Sequence, residues 1–358
     1  MERMFFLLYH RFLHRIVMVG LITFLAGVST LSACKKNSED NPPSTDSTVV
    51  LTPYEIIPPA HFPVLKIPDD NKPSVERIKL GRMLYYDTLL SNDGKACAGC
   101  HLQSKGFTTD LLYQGVTVLP HENLAWNTNF MWNASIQGTL EDAMLFEVQT
   151  FFATNLEKVN QNSTYRQLVK KYFGVNKITY KELSYSLAQF VRTLISRDTK
   201  YDRFIRGEIE LSYDELQGRN LFFSERGDCF HCHINPVMTD NQLHNIGLDS
   251  LYSKELDKGF FNLSGKVSDL GKFRTPNLRN VALRKHLMHD GRFSSLEEVV
   301  EFYNSGVHKV TNVDPIMTKP GKENGLNLSS QEKMQIVAFL QTLTDLTMLA
   351  DTTLSTPN

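Results

Sequence analysis

The chain has 358 residues, of which 41% are hydrophobic and 22% charged, and its formal net charge is -1. That length accommodates two domains of ordinary size, and that composition supports a buried core without disulfides. The near-neutral balance excludes a bulk attraction to nucleic acid or to an anionic membrane surface.

The first element is a targeting segment. Arg3, Arg11 and Arg15 precede an almost uncharged apolar run, Ile16 to Leu31, of signal-peptide length. The run closes on Leu31-Ser32-Ala33-Cys34, which resembles a bacterial lipobox, so residues 1–33 are expected to be removed and Cys34 lipidated. The alternative is a transmembrane anchor, for which the run is short. Either way the body lies outside the cytoplasm, in the cell envelope, on the periplasmic face or at the cell surface. Residues 34–54, rich in Ser, Thr, Asp, Asn and Pro, read as a flexible linker.

Helical spacing begins at Ser74 to Tyr86, with Ile78, Leu80 and Leu84 on one face. Cys97-Ala98-Gly99-Cys100-His101 follows. A long amphipathic run, Tyr180 to Ile195, places Leu183, Leu187, Phe190, Val191 and Leu194 together. Ser212 and Glu215 form a capping box that opens a helix through Leu221-Phe222-Phe223, just ahead of Cys229-Phe230-His231-Cys232-His233. Ser329 and Glu332 form another, opening a C-terminal helix with Ile336, Val337, Leu340 and Leu343 inward. No strong period-2 stretch stands out.

Beyond Cys34, the five cysteines leave four, all in the two C-x-x-C-H motifs. Two cysteines at that spacing can bond the two vinyl groups of one haem, and the adjacent histidine then supplies the fifth ligand of the iron. A zinc site fits less well, because the pairs lie far apart and each carries a following His. A thioredoxin-like motif would need a βαβ context that is missing around both. Two covalent haem c groups are therefore expected, on Cys97, Cys100 and His101 and on Cys229, Cys232 and His233.

Both halves repeat one grammar of helix, C-x-x-C-H loop, irregular stretch and closing helix. Leu80-Gly81-Arg82-Met83-Leu84-Tyr85-Tyr86 parallels Gln217-Gly218-Arg219-Asn220-Leu221-Phe222-Phe223. The expected fold is all-α, with two tandem cytochrome c-like haem domains at 55–207 and 208–350, a boundary near Phe204 to Leu211, and a tail at 351–358.

Three stretches carry a resemblance. They are Leu80-Gly81 to His101 with Gly106-Phe107-Thr108, then Asn123-Leu124-Ala125-Trp126 to Phe130-Met131-Trp132, then Phe273-Arg274-Thr275-Pro276-Asn277-Leu278-Arg279-Asn280-Val281 through Met288-His289-Asp290-Gly291-Arg292-Phe293 to Tyr303-Asn304. Together they resemble the bacterial di-haem cytochrome c peroxidases, including the MauG-like enzymes. The resemblance implies a peroxide-reactive N-terminal haem, a C-terminal haem that relays electrons, and Trp132 between them. It also implies a second ligand for the C-terminal haem. Tyr303 matches the position that is Met in cytochrome-like members and Tyr in MauG-like ones, and Met288 is the alternative. A phenolate is a hard anion that favours oxidised iron, whereas a thioether raises the potential.

The sequence also departs from the family pattern. Trp132 is followed by Asn133-Ala134-Ser135 in place of Asp-Gly-Arg. The distal Gln and Glu positions align with Ala143 and Ala153, leaving Glu147 and Glu157 as the nearby carboxylates. His121 is the nearest counterpart of a distal histidine. Arg274, Arg279 and Arg292 are candidates for haem propionates. His61, His244, His286 and His308 read as packing or surface residues, and His289 as part of a turn beside the second haem. Calcium lies between the domains in many members, but the expected Asn aligns with Thr117. Three functions follow from this pattern: reduction of hydrogen peroxide with electrons from a small donor, cytochrome c or cupredoxin; MauG-like oxidation of a protein or organic substrate through high-valent haem; or non-enzymatic electron carriage. The family's habit adds a homodimer as an expectation, and no nucleic-acid partner is expected.

Overall fold

The structure, a computed structural model, describes residues 49–357. The targeting segment, Cys34 and most of the linker lie outside the described residues.

Helix α1 (Val75–Tyr86) starts where the Ser74 hydroxyl accepts the Arg77 amide. Its face of Leu80, Leu84 and Tyr85 buries against α3 (Tyr180–Val191), which a Thr179–Glu182 capping box opens. Between them in sequence lies α2 (Leu140–Phe146), capped reciprocally by Thr139 and Asp142. In the second half, α4 (Tyr213–Phe222) packs on α6 (Ser330–Gln341), both opened by the expected capping boxes, and α5 (Leu296–Glu301) is capped by Ser295.

One contact shows why each helix pair sits so close. A Cβ placed on Gly81 would lie 1.9 Å from the Ser186 carbonyl oxygen, and one on Gly218 would lie 1.8 Å from that of Gln335. Only glycine permits that approach. Phe190 and Phe339 follow as the next neighbours of the two glycines. The parallel noticed in sequence is thus a repeated helix–helix crossing.

The core falls into two clusters within one compact unit that runs from Thr48. The first reaches from Leu80 to Leu194 and the second from Tyr201 to Leu343. Packing therefore changes over ahead of the expected Phe204–Leu211 stretch, because Tyr201 already stacks on Phe223 and meets Phe339 edge-on. Met348 and Leu354, at the far end of the chain, belong to the first cluster. Arg82 holds that end by donating to the carbonyls of Thr352 and Ser355, and the Tyr86 hydroxyl donates to Leu354.

Helices dominate, but the all-α expectation needs one correction. Three antiparallel ladders of two residues per strand are present: β1 (Leu112–Tyr113) with β2 (Val116–Thr117), β3 (Asn129–Phe130) with β4 (Ile136–Gln137), and β5 (Leu243–His244) with β6 (Phe273–Arg274). Pairs this short leave no period in sequence.

Candidate functional site

Each C-x-x-C-H motif opens onto its own cavity. The N-terminal one encloses about 1810 Å³ including its mouth and is walled by Cys97, Cys100, His101, Ala143, Met144 and Glu147. The C-terminal one encloses about 1790 Å³ and is walled by Cys229, Cys232, His233, Met288, Tyr303 and Met317.

The two histidines are set up alike. His101 Nδ1 lies 2.9 Å from the Phe107 carbonyl, and His233 Nδ1 lies 3.0 Å from that of Met238. A carbonyl only accepts, so each Nδ1 carries the proton and each Nε2 keeps its lone pair. Burial pushes both imidazoles down to about 4, so they stay neutral at physiological pH. Phe107 and Met238 reach these positions through left-handed backbone, φ 58° and 54°.

The cavities share a wall made by Thr117, Val118, Trp132, Phe273, Arg274 and His289. Trp132 is pinned there: its indole N–H donates to the Thr117 carbonyl at 2.8 Å, and its own carbonyl accepts the Arg274 amide at 2.8 Å. The Thr117 hydroxyl donates to the Met288 carbonyl at 2.7 Å, so the residue at the expected calcium position ties the halves together. His289 stacks on Phe273 at 3.9 Å, reaches Asp257 at 3.1 Å and meets Trp132 edge-on at 6.4 Å. It is thus more than a turn residue.

Haem fits these cavities on three grounds. A native fold does not keep large apolar voids empty, since its interior packs to crystal density. Cys97, Cys100 and His101 line one cavity and Cys229, Cys232 and His233 the other. Finally, Arg274 is buried with no carboxylate partner among the described residues, its guanidinium donating to the carbonyls of Met131 and Thr275. A buried cation needs an anion, which a haem propionate supplies. Arg284, not singled out in the sequence, also lines the C-terminal cavity, but it lies 3.5 Å from the Glu122 carboxylate and donates to the Asn277 and Arg279 carbonyls. Arg279 and Arg292 are already paired, Arg279 in a fully buried bidentate bridge to Asp202 and Arg292 with Asp249 and Asp290, which removes both from the propionate candidates.

The distal candidates separate cleanly. Glu147 lines the N-terminal cavity, and burial pushes its carboxyl up to about 7. Glu157 is exposed in the first turn of Leu156–Gln161 and lines neither cavity, so that candidate drops out. Ala143 lines the cavity without a polar group, and Ala153 does not line it. His121 is corrected as a distal group. Its ring stacks on His101 with centroids 3.4 Å apart, and its Nδ1 is 3.1 Å from the Tyr85 hydroxyl, so it braces the ring of His101. Tyr303 and Met288 both line the C-terminal cavity, and burial raises the Tyr303 hydroxyl well above its usual range. His244 also lines it, held between Asp240 at 2.8 Å and Asp314 at 2.5 Å; its bond to Asp240, followed by those to Cys232 and Asp314, raises its imidazole above the usual histidine range. Glu122, missed in the sequence, is buried between the halves, accepts from Asn280 and is pushed up to about 8, burial outweighing Arg284.

The profile of the family described as di-haem cytochrome c peroxidase matches residues 75–210. The methylamine utilization protein MauG of Methylorubrum extorquens is 31% identical over 292 residues, 77% of this chain and 80% of that one. The chain belongs to the di-haem cytochrome c peroxidase and MauG family. The cytochrome c551 peroxidase of Nitrosomonas europaea is 28% identical over 80% of this chain and 85% of its own. A solved MauG-like protein associated with microbial copper homeostasis superposes with a TM-score of 0.77 at 29% identity, covering 85% of this chain and 99% of that one. Membership makes the protein an oxidoreductase carrying two haem c groups, which the two motifs accommodate. Among the described residues no helix is long and apolar enough to cross a membrane.

Proposed function

We propose that the chain is an exported peroxidase that reduces hydrogen peroxide to two waters with two electrons and two protons, the electrons coming from a small donor such as cytochrome c or a cupredoxin. The asymmetry of the two cavities carries this reading: Glu147, a carboxyl poised near neutrality, lines the N-terminal one, whereas Tyr303 and Met288 line the C-terminal one. Bound haem supplies the redox iron in each. His101 and His233, neutral and fixed in one tautomer, are the ligands beneath it. Glu147 would hold and move a proton between the two peroxide oxygens, and with two donor electrons and two further protons both oxygens leave as water. Trp132, common to both walls, couples the cavities. Arg274 holds the negative charge of propionates. Tyr303 would supply the second ligand to the C-terminal haem, Met288 being the alternative that lines the same cavity. The segment 1–33 directs export and a lipid on Cys34 holds the domain at the envelope.

A second reading rests on Tyr303. A phenolate ligand favours oxidised iron, so the pair can keep both oxidising equivalents until a protein or organic partner is oxidised. The 29% identity to the copper-associated MauG-like protein supports it. The test is donor stoichiometry. The peroxidase reading expects rapid oxidation of two reduced cytochromes or cupredoxins per peroxide. No donor oxidation, with an oxidised state that persists until an organic reductant is added, overturns it in favour of the second reading.

A further inference from the structure

The junction between the halves holds a carboxyl that lines neither cavity. Glu122 is 1% exposed, and it follows His121, whose amide donates to the same Phe107 carbonyl that fixes His101. Its Oε2 lies against the loop of the first motif, where a Cβ on Gly106 would come within 3.1 Å. Across the junction stand Asn280 and Arg284. Asn280 Oδ1 accepts the Asp345 amide at 2.8 Å, which turns its Nδ2 toward Glu122. Oε2 is therefore an acceptor whatever the charge of the carboxyl, and Oε1 is the atom left to take a proton. Oε1 has no hydrogen-bond partner among the described residues, and neither has Arg284 Nε. The Arg284 guanidinium stays 3.5 Å away, because the carbonyls of Asn277 and Arg279 already hold it. A buried charge pair this loose offsets little of the cost of burying both charges. The other charges facing Glu122 are Arg279, which Asp202 neutralises, and Asp345, which repels it.

We infer that Glu122 is a proton-binding site tied to the charge of the C-terminal haem, taking up a proton when that haem gains an electron and releasing it when the electron leaves. The link is Arg284, which faces Glu122 on one side and lines the C-terminal cavity on the other. With Glu122 ionised, the guanidinium is compensated. With Glu122 protonated, an uncompensated cation faces the cavity and favours the reduced, less positive haem. By linkage, reduction raises the proton affinity of Glu122 by the same factor. The step balances: one electron from a small donor converts ferric iron to ferrous, and one proton from solvent converts the Glu122 carboxylate to the acid. Burial pushes this carboxyl up to about 8, so both of its forms are within reach near neutrality. The inference needs two haems on the chain and does not need the peroxidase reading.

The test uses the full-length holoprotein, reduced at an electrode, with two haems per chain confirmed by the pyridine haemochrome assay. Proton uptake on reduction is followed in weakly buffered solution, and redox-induced infrared difference spectra report the carboxyl directly. Around pH 8, wild type should take up about one proton more than Glu122→Gln, and a carboxylic-acid band should appear on reduction in wild type alone. Across the same range the potential of the C-terminal haem should fall with rising pH in wild type. In Glu122→Gln it should hold near the value that wild type reaches at low pH. Arg284→Gln, which removes the attraction on the carboxylate, should move the uptake to higher pH. The inference is overturned if fully loaded Glu122→Gln takes up as many protons as wild type or keeps the acid band. If that variant does not fold, Arg284→Gln decides, because an uptake curve that coincides with wild type overturns the inference too. Absence of the acid band from reduced wild type overturns it outright. Peroxide turnover enters none of these readouts, so a failed peroxidase assay leaves the result standing.

Discussion

Glu147 shows how much burial alone can do to one side chain. Its carboxyl sits near 7 because the cavity wall desolvates it, with no neighbouring acid involved. As the base for peroxide it works in the carboxylate form, so the reaction rate of the wild type should rise as pH climbs through about 7. Glu147→Gln should flatten that profile and slow the reaction by about 10²–10⁴-fold in stopped-flow mixing. Trp132→Phe should keep both haems loaded yet slow electron exchange between them, read as the rate at which the second haem responds after the first is oxidised. Asp202 shows the opposite balance. Burial pushes it up, but the Arg279 hydrogen bonds and charge outweigh that and hold it at about 2. Its stabilisation is therefore present above the unfolded carboxyl range and is lost as pH falls toward 2. Asp202→Asn, leaving Arg279 buried and unpaired, should cost about 3–5 kcal/mol in denaturant unfolding. Among single residues the haem anchors were fully legible, because covalent chemistry fixes their spacing. Glu147 could be separated from Glu157 only in three dimensions, since both are acids in the same loop-rich region and only one faces a cavity. Arg274 likewise parted from Arg279 and Arg292 only once their acid partners were visible.

At the scale of elements, helix starts were legible because caps are local. Ser212 and Ser329 serve as expected, and Ser74, where the helical spacing began, caps α1. The π-turns that continue α2 and α5, Glu147–Phe151 and Phe302–Gly306, were not, since nothing in composition announces a widened turn. The glycine crossings are the most exposed joints of both helix pairs. Gly81→Ala and Gly218→Ala should each lower stability by at least about 1–3 kcal/mol, because the methyl meets backbone rather than a yielding side chain. Thermal melts followed by the absorption of each haem would show which half loosens first.

At the scale of the whole molecule, the two halves are stitched rather than merely adjacent. The Trp132 carbonyl accepts the Arg274 amide, the Arg274 guanidinium donates to the Met131 carbonyl, and the Thr117 hydroxyl donates to the Met288 carbonyl. Non-local ties of this kind leave no trace in a sequence read locally. The return of the C-terminal segment to the first core went unforeseen for the same reason. Met348 and Leu354 are buried among residues whose partners lie mostly before Leu194, and Gln103 donates to the carbonyls of Met348 and Asp351 just beyond the first haem motif. Ending the chain after Asp345 should therefore destabilise the N-terminal half more than the C-terminal one, which limited proteolysis would report as earlier cleavage ahead of Leu194.

That returning segment also couples distant parts of the fold. Met348, Leu354 and the carbonyls around them complete the core beside Cys97 and Cys100, so the first half is not sealed until a stretch from beyond the second half has docked on it.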